Sequence, residues 1–392
     1  MSKNSWKDKW MEDIEYLKST LINKHKNLFF NISRGVFENN IDNLERMIDR
    51  FDYNDMKVEI SRLVASVGDA HTAVKLPMNY LLPLEFYWFK EGIYVVKALG
   101  KYKYLEYYKV IEINNIEIDE VLDELSEIIS HENSSYLKAN IVKYIQAIEI
   151  LYGLTIVDNI ESCVIKFESL NGEIITENIK SVNTINYTKL LDNYNKYMEN
   201  EMPLYMKNNS RNYWFEYLEE QKIIYFKYNL CRNNFENSIG GFISKIIDCI
   251  ENNNVEKLVV DLRNNTGGDS RLLEPFIEYV KANKKINING KLFVVIGRDT
   301  FSSALLNAFL FRENTNAILI GEATGGKPNC YGEIEKFILP NSKFLVTYST
   351  EYYKLIEDDK INSLLPDINV ELGIYNFINY NDPILDKIET SY

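Results

Sequence analysis

Ser302 and Lys327 are the residue types in this chain best suited to covalent chemistry. Ser302 follows a short apolar run at 292–296 and precedes an apolar-periodic segment at 305–311, which predicts a strand, a turn and a helix that starts near the serine. Backbone N–H groups without partners and the helix dipole favour a nucleophilic hydroxyl there. Lys327 follows a second apolar run, at 317–321, and a glycine pair. A neutral amine that takes the serine proton would activate it for acyl transfer.

The same two residues also have plain structural interpretations. A serine before a helix often caps that helix, and a lysine on a glycine-rich loop often faces solvent. A lysine acts as a base only where burial or a nearby positive charge favours its neutral form. The residue types alone leave both interpretations open.

A glycine-rich turn follows another apolar run, in the sequence VVDLRNNTGGDS at 259–270. In an acyl-transfer enzyme the backbone N–H groups of this turn, together with that of Ser303, would form an oxyanion hole. A simpler interpretation is a tight turn that needs positive φ at glycine. Phosphate binding is disfavoured, because neither GxGxxG nor the P-loop pattern is present.

His71 lies in the sequence GDAHT, where a glycine and an aspartate end a helical pattern. It is a candidate general base, although a single histidine is more often a hydrogen-bonded structural residue. The other two histidines, His25 and His131, are interpreted as solvent-exposed residues without a catalytic role.

Composition limits the classes of protein that this chain can be. Its 392 residues, 46% hydrophobic and 26% charged, are typical of a globular protein with two or three domains. A net charge of −13 argues against nucleic-acid binding and weakly favours basic or neutral partners. The charged N-terminus lacks a secretory signal and no apolar run could span a bilayer, so we expect a cytoplasmic protein. The four cysteines have neither zinc nor disulfide spacing.

The patterns predict four regions. Helical periodicity fills 1–75, and 76–182 has the strand and helix order of a small α+β module that is PDZ-like but lacks the glycine-rich carboxylate-binding loop. The stretch 183–212 shows no period and is interpreted as a linker or wrapping segment. Apolar runs and amphipathic segments then alternate over 213–392, which predicts an α/β core with a mainly parallel sheet and helices on both faces.

Together these motifs resemble those of the tail-specific, or C-terminal processing, serine protease family and the related tricorn-type proteases. DLRNNTGG is similar to the family's DLRxNxGG motif, TFSSALLNA to its TxSxxE helix, GEATGGKPN to its GExTxGK loop and LLPDINV to its PD motif. The similarity extends from GDAHT to NDPILDKI, and so covers most of the chain. Ser302 and Lys327 are 25 positions apart, which is the family's interval from nucleophile to lysine and selects Ser302 over Ser303.

The resemblance implies a crotonase-like protease core and a serine peptidase that cuts at or near polypeptide C-termini without a metal or organic cofactor. Ser302 would be the nucleophile, Lys327 the general base, and the amides of Gly268 and Ser303 the oxyanion hole. In tricorn-type members the histidine that His71 matches is the base, so His71 stays open as an alternative.

Some positions depart from the family pattern or are assigned less directly. Leu305 stands where the family usually has a glutamate. Glu313 follows Ser302 at the interval where the family has an acid, but a surface residue at a helix end is the simpler interpretation. Glu351 is a candidate for the acid that would orient a histidine base.

We therefore expect a cytoplasmic serine peptidase whose partners are peptide or protein substrates. Two alternatives remain open. One is a catalytically silent ligand- or peptide-binding protein on the same fold, as in the retinoid-binding proteins of the eye, and the other is a serine esterase or amidase. The physiological substrate and the oligomeric state do not follow from the sequence.

Overall fold

The structure is a computed structural model that describes residues 5–195, 202–234 and 238–391. The chain divides into two compact units, each built from three stretches. The first unit comprises Met1–Glu132, Asn140–Met198 and Cys330–Lys354, and the second comprises Asn133–Ala139, Glu199–Asn329 and Leu355–Tyr392. The stretch predicted as one core, 213–392, thus contributes residues 330–354 to the first unit.

Helices occur in both units. Within the described residues they are α1 (Trp6–Lys24), α2 (Arg34–Met47), α3 (Tyr53–Ala65), α4 (Ile118–Ser126), α5 (Ser134–Gln146), α6 (Ile148–Gly153), α7 (Thr184–Asn195), α8 (Ile239–Asn252), α9 (Glu274–Ala282), α10 (Ser303–Asn314), α11 (Ile374–Ile378) and α12 (Pro383–Thr390). In this part of the chain, no helix is both long enough and apolar enough to cross a membrane.

Strands alternate with these helices along the chain. They are β1 (Ala73–Lys75), β2 (Tyr80–Leu81), β3 (Leu84–Phe89), β4 (Gly92–Ala98), β5 (Lys109–Ile113), β6 (Ile116–Glu117), β7 (Ser162–Glu168), β8 (Ile174–Lys180), β9 (Val182–Asn183), β10 (Tyr213–Leu218), β11 (Ile223–Tyr228), β12 (Lys257–Asp261), β13 (Leu292–Ile296), β14 (Ile318–Gly321), β15 (Cys330–Ile338), β16 (Leu345–Tyr353) and β17 (Ile368–Asn369).

In the first unit, the predicted N-terminal helices pack on a hairpin that lies far away in sequence. The apolar faces of α1, α2 and α3 form one buried cluster with side chains of the β15–β16 hairpin, among them Phe344 and Val346. Asp13 of α1 accepts hydrogen bonds from the backbone N–H groups of Asn341 and Ser342, at 2.7 Å each, in the hairpin turn. This packing is the reason why residues 330–354 belong to the first unit.

The remainder of the first unit is a mainly antiparallel sheet with the order β3-β4-β5-β7-β8. The hairpin predicted to turn at Asn171–Gly172 forms between β7 and β8. The predicted linker needs a correction, because α7 occupies its first part. The hydroxyl of Tyr187 in α7 donates to Glu85 and accepts from Gln146, tertiary contacts that a weak helical pattern does not signal. Residues 196–201 of the predicted linker lie outside the described residues.

The second unit contains the predicted parallel sheet, in the order β10-β11-β12-β13-β14-β17. All neighbours are parallel except β10 and β11. The central strands are buried on both faces, as is usual for parallel strands. Apolar side chains of α8, α9 and α10 cover one face, and Ile384 and Ile388 of α12 cover part of the other. The turns that follow β12, β13 and β14 therefore meet at the carboxyl edge of one sheet.

Candidate active site

Ser302 lies in the turn between β13 and α10 and has a strained backbone. Its φ is 52° and its ψ is −126°, a region that residues with a side chain rarely adopt. The predicted helix does start directly after it. Within the described residues, however, the Ser302 side chain accepts no capping hydrogen bond from α10. Helix capping, the plain explanation for a serine at this position, is therefore not what this hydroxyl does.

Thr300 fixes the turn that carries Ser302. Its buried hydroxyl accepts a hydrogen bond from the Gly297 amide at 2.9 Å and donates to the Leu262 carbonyl at 2.9 Å. The second bond joins the turn after β13 to the turn after β12. The serine turn and the DLRNNTGG turn are thus parts of one hydrogen-bonded structure.

Gly267 and Gly268 have conformations and contacts that exclude a side chain. Their φ values are 108° and 135°. A Cβ on Gly267 would lie 2.9 Å from the Ser302 Cβ and 3.1 Å from the Ser303 amide nitrogen, and one on Gly268 would overlap the Cys231 carbonyl oxygen. The tight-turn interpretation of this sequence is correct, and the same turn lies directly against Ser302.

The proposed oxyanion donors are linked to each other. The Ser303 hydroxyl donates to the Gly268 carbonyl at 2.7 Å, which joins the start of α10 to the glycine turn. Over residues 5–195, 202–234 and 238–391, neither the Gly268 amide nor the Ser303 amide donates a hydrogen bond to the protein. Two backbone donors beside a strained serine can stabilise negative charge on a substrate oxygen.

A buried group of charged side chains anchors the DLRNNTGG turn. Asp261 is fully buried and pairs with Lys227 at 3.2 Å and with Nε of Arg263 at 2.9 Å, and it also accepts from the Tyr225 hydroxyl. Arg263 in turn forms a bidentate pair with Asp382, at 3.0 and 2.9 Å. The motif near the end of the chain, NDPILDKI, thus supports the turn through an ion pair.

The pKa values in this group follow from burial and charge. Burial alone would raise the pKa of Asp261, but the charges of Arg263 and Lys227 lower it to about 2. Burial lowers the pKa of Lys227 to about 8, against the opposing effect of Asp261. Asp261 is therefore ionised throughout the neutral range, and Lys227 is still mainly charged at pH 7 but loses its proton at a lower pH than an ordinary lysine.

Lys327 lies on the loop after β14 and is half-buried. The preceding residue, Gly326, donates its amide to the Thr300 carbonyl at 3.0 Å, and the Gly326 carbonyl accepts from the Thr324 hydroxyl at 2.9 Å. Asn133 donates to the Gly325 carbonyl of the same loop at 3.0 Å. The loop that carries Lys327 is thus bonded to the turn that carries Ser302, two residues before the serine.

His71 belongs to the first unit, where it lies beside Asp69. It is 4% exposed, its backbone N–H donates to Asp69 at 2.9 Å, and its Nδ1 is 3.8 Å from the same carboxylate. Burial lowers the pKa of His71, an effect that Asp69 only partly offsets. The ring is therefore neutral near pH 7, the form that a general base requires.

His25 is buried, although the sequence pattern predicts a solvent-exposed residue. It is 7% exposed and its Nε2 is 3.1 Å from Asp69. Asp69 also accepts from the hydroxyls of Thr72 and Ser349, so one buried carboxylate joins four side chains or backbone groups of the first unit. Burial alone would raise the pKa of Asp69, but the hydrogen bond from His25 and the interactions with His71, Ser349 and Thr72 lower it. Asp69, two residues before His71, was missed as a site residue although its spacing fits a local side-chain to backbone bond.

The two candidate acids lie at the surface. Glu313 is exposed near the end of α10, roughly 16 Å along the helix from Ser302. Glu351 is exposed in β16 and pairs with Lys26 at 3.1 Å. His131, the third histidine, is half-buried and hydrogen-bonded to the Ile129 carbonyl. Among the described residues no group of three or more His, Cys, Asp or Glu side chains is arranged to hold a metal ion.

Comparison with known proteins supplies independent evidence on the class of this fold. Residues 275–370, which contain Ser302 and Lys327, match the family described as Peptidase family S41. No curated protein sequence matches the chain. Mature CPAF complexed with lactacystin is similar in structure, with a TM-score of 0.67 and 12% identity over 98% of each chain.

Two further solved structures resemble this chain, with different TM-scores. Mature CPAF has a TM-score of 0.68 at 12% identity and covers 98% of this chain and 96% of its own. The photosystem II D1 C-terminal processing protease has a TM-score of 0.42 at 11% identity, over 92% of this chain and 93% of its own. At such identities the similarity to CPAF establishes a shared fold.

The mixed α/β fold and the family match define a serine-type peptidase. Within that class, the match over residues 275–370 is to peptidase family S41, and the motifs of the chain resemble those of the tail-specific proteases.

Proposed function

We propose that this peptidase acts through acylation of Ser302, with Lys327 as the general base and the Gly268 and Ser303 amides as the oxyanion hole. The conformation of Ser302 is the observation that carries the proposal. Its backbone is strained, its hydroxyl caps no helix among the described residues, and two backbone donors lie beside it without protein acceptors in that part of the chain. Strain of this kind is typically retained where function requires it.

The proposed reaction needs only these groups and water. The neutral amine of Lys327 takes the hydroxyl proton while Oγ of Ser302 bonds to the scissile carbonyl carbon. The Gly268 and Ser303 amides stabilise the resulting oxyanion. Collapse of this intermediate breaks the C–N bond, and the Lys327 ammonium gives its proton to the leaving amine. Water, activated by the same amine, then hydrolyses the ester and restores Ser302.

We further propose that the substrate is a polypeptide with a free C-terminus. The family resemblance motivates this, with the parallel sheet as a crotonase-like core. The antiparallel sheet β3-β4-β5-β7-β8 offers edge strands that a PDZ-like module would use to hold an extended peptide by strand addition.

The nucleophile is tested with a fluorophosphonate probe and matched substrates. The wild-type chain should be labelled and Ser302→Ala should not, while the neighbouring Ser303→Ala keeps its backbone amide and should still be labelled. Peptides with a free C-terminus should be cleaved faster than their amidated counterparts. Labelling that persists in Ser302→Ala would reject the nucleophile, and turnover of p-nitrophenyl esters without any peptide cleavage would reject peptidase activity through this site.

The base is tested by comparing Lys327→Ala with His71→Ala at alkaline pH. Acylation should fall in Lys327→Ala by about 100-fold or more, because general-base catalysis contributes roughly 10²–10⁴-fold. His71→Ala should retain most of the acylation rate. The reverse result would assign the base to His71, whose neutral, buried ring next to Asp69 suits that role.

A further inference from the structure

Asn265 connects the glycine turn to the Ser302 turn. It is fully buried. Its backbone carbonyl accepts the amide of Phe301, the residue before the nucleophile, at 3.1 Å. Its side-chain Oδ1 accepts the Gly267 amide at 2.9 Å, and its Nδ2 donates to the Tyr228 carbonyl at 2.9 Å. One side chain thus ties the glycine turn to the end of β11, while its backbone ties the same turn to the serine.

These bonds decide which amides of the glycine turn are available. Because the Gly267 amide is engaged by Asn265, the next amide along the chain, that of Gly268, is left beside Ser303. Cys231 supports the arrangement from the other side. Its amide donates to the Gly267 carbonyl at 3.0 Å, its carbonyl accepts from Asp269 at 2.8 Å, and its Sγ is 3.6 Å from Oδ1 of Asn265.

Neighbouring polar residues of the motif have other partners. Asn264 accepts from Lys227 at 2.6 Å, and Thr266 is exposed. The Ser303 hydroxyl bonds to the Gly268 carbonyl and not to the Gly267 amide, so this bond does not orient the Gly267 N–H group. Asn265 is the side chain in this turn that both accepts from Gly267 and is itself anchored on a neighbouring strand.

We propose that Asn265 is a positioning residue, whose amide, anchored on the Tyr228 carbonyl, holds the Gly267–Gly268 turn so that the Gly268 amide faces the oxyanion. This rests on the proposed function of Ser302. The residue acts through the turn and does not itself contact the substrate. Its loss should reduce kcat and leave KM nearly unchanged, because the oxyanion exists only after attack on the carbonyl.

Asn265→Asp is the most informative variant, because the two side chains have the same shape. When protonated, the new carboxyl can accept from Gly267 and donate to Tyr228 as the amide does. When ionised, it faces the Tyr228 carbonyl with a second acceptor and places negative charge close to the oxyanion. Burial raises the pKa of such a carboxyl, so ionisation falls within an accessible pH range. Burial also raises the pKa of Cys231 to about 11, so this contacting thiol stays protonated over that range.

In Asn265→Asp we expect kcat to fall at high pH, a dependence that the wild-type enzyme lacks. Its kcat should fall on the order of 100-fold relative to wild type at pH 9, as for the loss of one oxyanion donor, and should recover towards pH 6, with KM within about twofold throughout. Asn252→Asp, which adds the same charge at the exposed end of α8, should follow the wild-type profile. Thermal unfolding of each protein, measured over the same pH range, normalises kcat to the folded fraction.

Asn265→Ser keeps the test decisive if the aspartate variant does not fold. A serine hydroxyl can still accept from Gly267, as serine does in local turns, but it cannot reach Tyr228. Its kcat should fall about tenfold with a pH profile parallel to that of wild type. A wild-type kcat at pH 9 in folded Asn265→Asp, a wild-type kcat in folded Asn265→Ser, or a loss that appears in KM would overturn the positioning role. If the wild-type chain itself is not labelled at Ser302, the proposed function fails, which is a separate result.

Discussion

Backbone strain at Ser302 is held in place by its neighbours. For a residue with a side chain, a backbone conformation of φ 52° and ψ −126° costs about 1–3 kcal/mol. Such a conformation persists only where the surrounding structure holds it in place. Here the surroundings are the Thr300 hydroxyl, the Asn265 carbonyl and the close contact with Gly267. The strain leaves the hydroxyl out of helix capping and available for chemistry.

We expect Ser302→Gly to be more stable than Ser302→Ala, by about 1 kcal/mol, because only glycine relieves the positive φ. The measurement is the urea midpoint of the two inactive variants at constant slope. Ser244, exposed in the middle of α8, provides the control pair. There alanine should be more stable than glycine by about 1 kcal/mol. The same order at both positions would show that Ser302 is not strained.

The strands β11 and β12 carry the charges that anchor the DLRNNTGG turn. Lys227 and Asp261 face each other across these neighbouring parallel strands, and Arg263 continues the group to Asp382 before α12. Burying four charged groups costs free energy that their mutual attraction repays only when all partners are present. The DLR and NDP motifs are therefore coupled elements, and a change in one reaches the other through the charges.

Lys227→Met should remove a pH dependence of stability. The native pKa of Lys227 is about 8 and its ordinary value is 10.5, so between these values the unfolded state binds more protons. Stability from this group therefore rises with pH over that window, by about 3 kcal/mol in total. Urea unfolding at pH 7.5 and pH 10.5 measures the increment, which wild type should show and Lys227→Met should lack. Lys245→Met, at the exposed face of α8, should behave as wild type. An equal change in unfolding free energy between the two pH values in wild type and Lys227→Met would contradict a free-energy cost of burying the charged Lys227.

At the scale of the whole molecule, the chain carries an excess of acidic side chains. The net charge is −13 and the isoelectric point is about 5.0. Charges of one sign attract oppositely charged ligands over a screening length of about 10 Å at 0.1 M salt. A peptidase with this charge should therefore meet basic peptides faster than acidic ones.

Peptides that share one cleavage sequence and differ in distant lysine, glutamine or glutamate residues should be cleaved with different efficiency. At low salt kcat/KM should be several-fold higher for the lysine peptide than for the glutamate peptide, and this ratio should approach one at about 0.5 M salt. The glutamine peptide serves as the reference, with little dependence on salt. A ratio that salt does not change would place the preference in local contacts instead of the overall field.

Features of this protein that depend on local pattern could be predicted from the amino-acid sequence. Alternating apolar runs predicted the parallel sheet, because buried strands and amphipathic helices have distinct periods. The interval from Ser302 to Lys327 and the DLRNNTGG turn pointed to a serine peptidase, and the family match agrees. The start of α10 directly after Ser302 was also predicted correctly.

Features that join residues far apart in sequence depend on the tertiary structure. His25 is buried because Asp69, 44 positions away, needs a donor, and helical periodicity around His25 could not indicate this. The β15–β16 hairpin belongs to the first unit because its apolar face matches helices near the other end of the chain. Asn265 matters through bonds to Tyr228 and Phe301, which no local spacing specifies. Local propensity is a property of each residue and its sequence neighbours, whereas burial and hydrogen-bond partners exist only once the chain has folded.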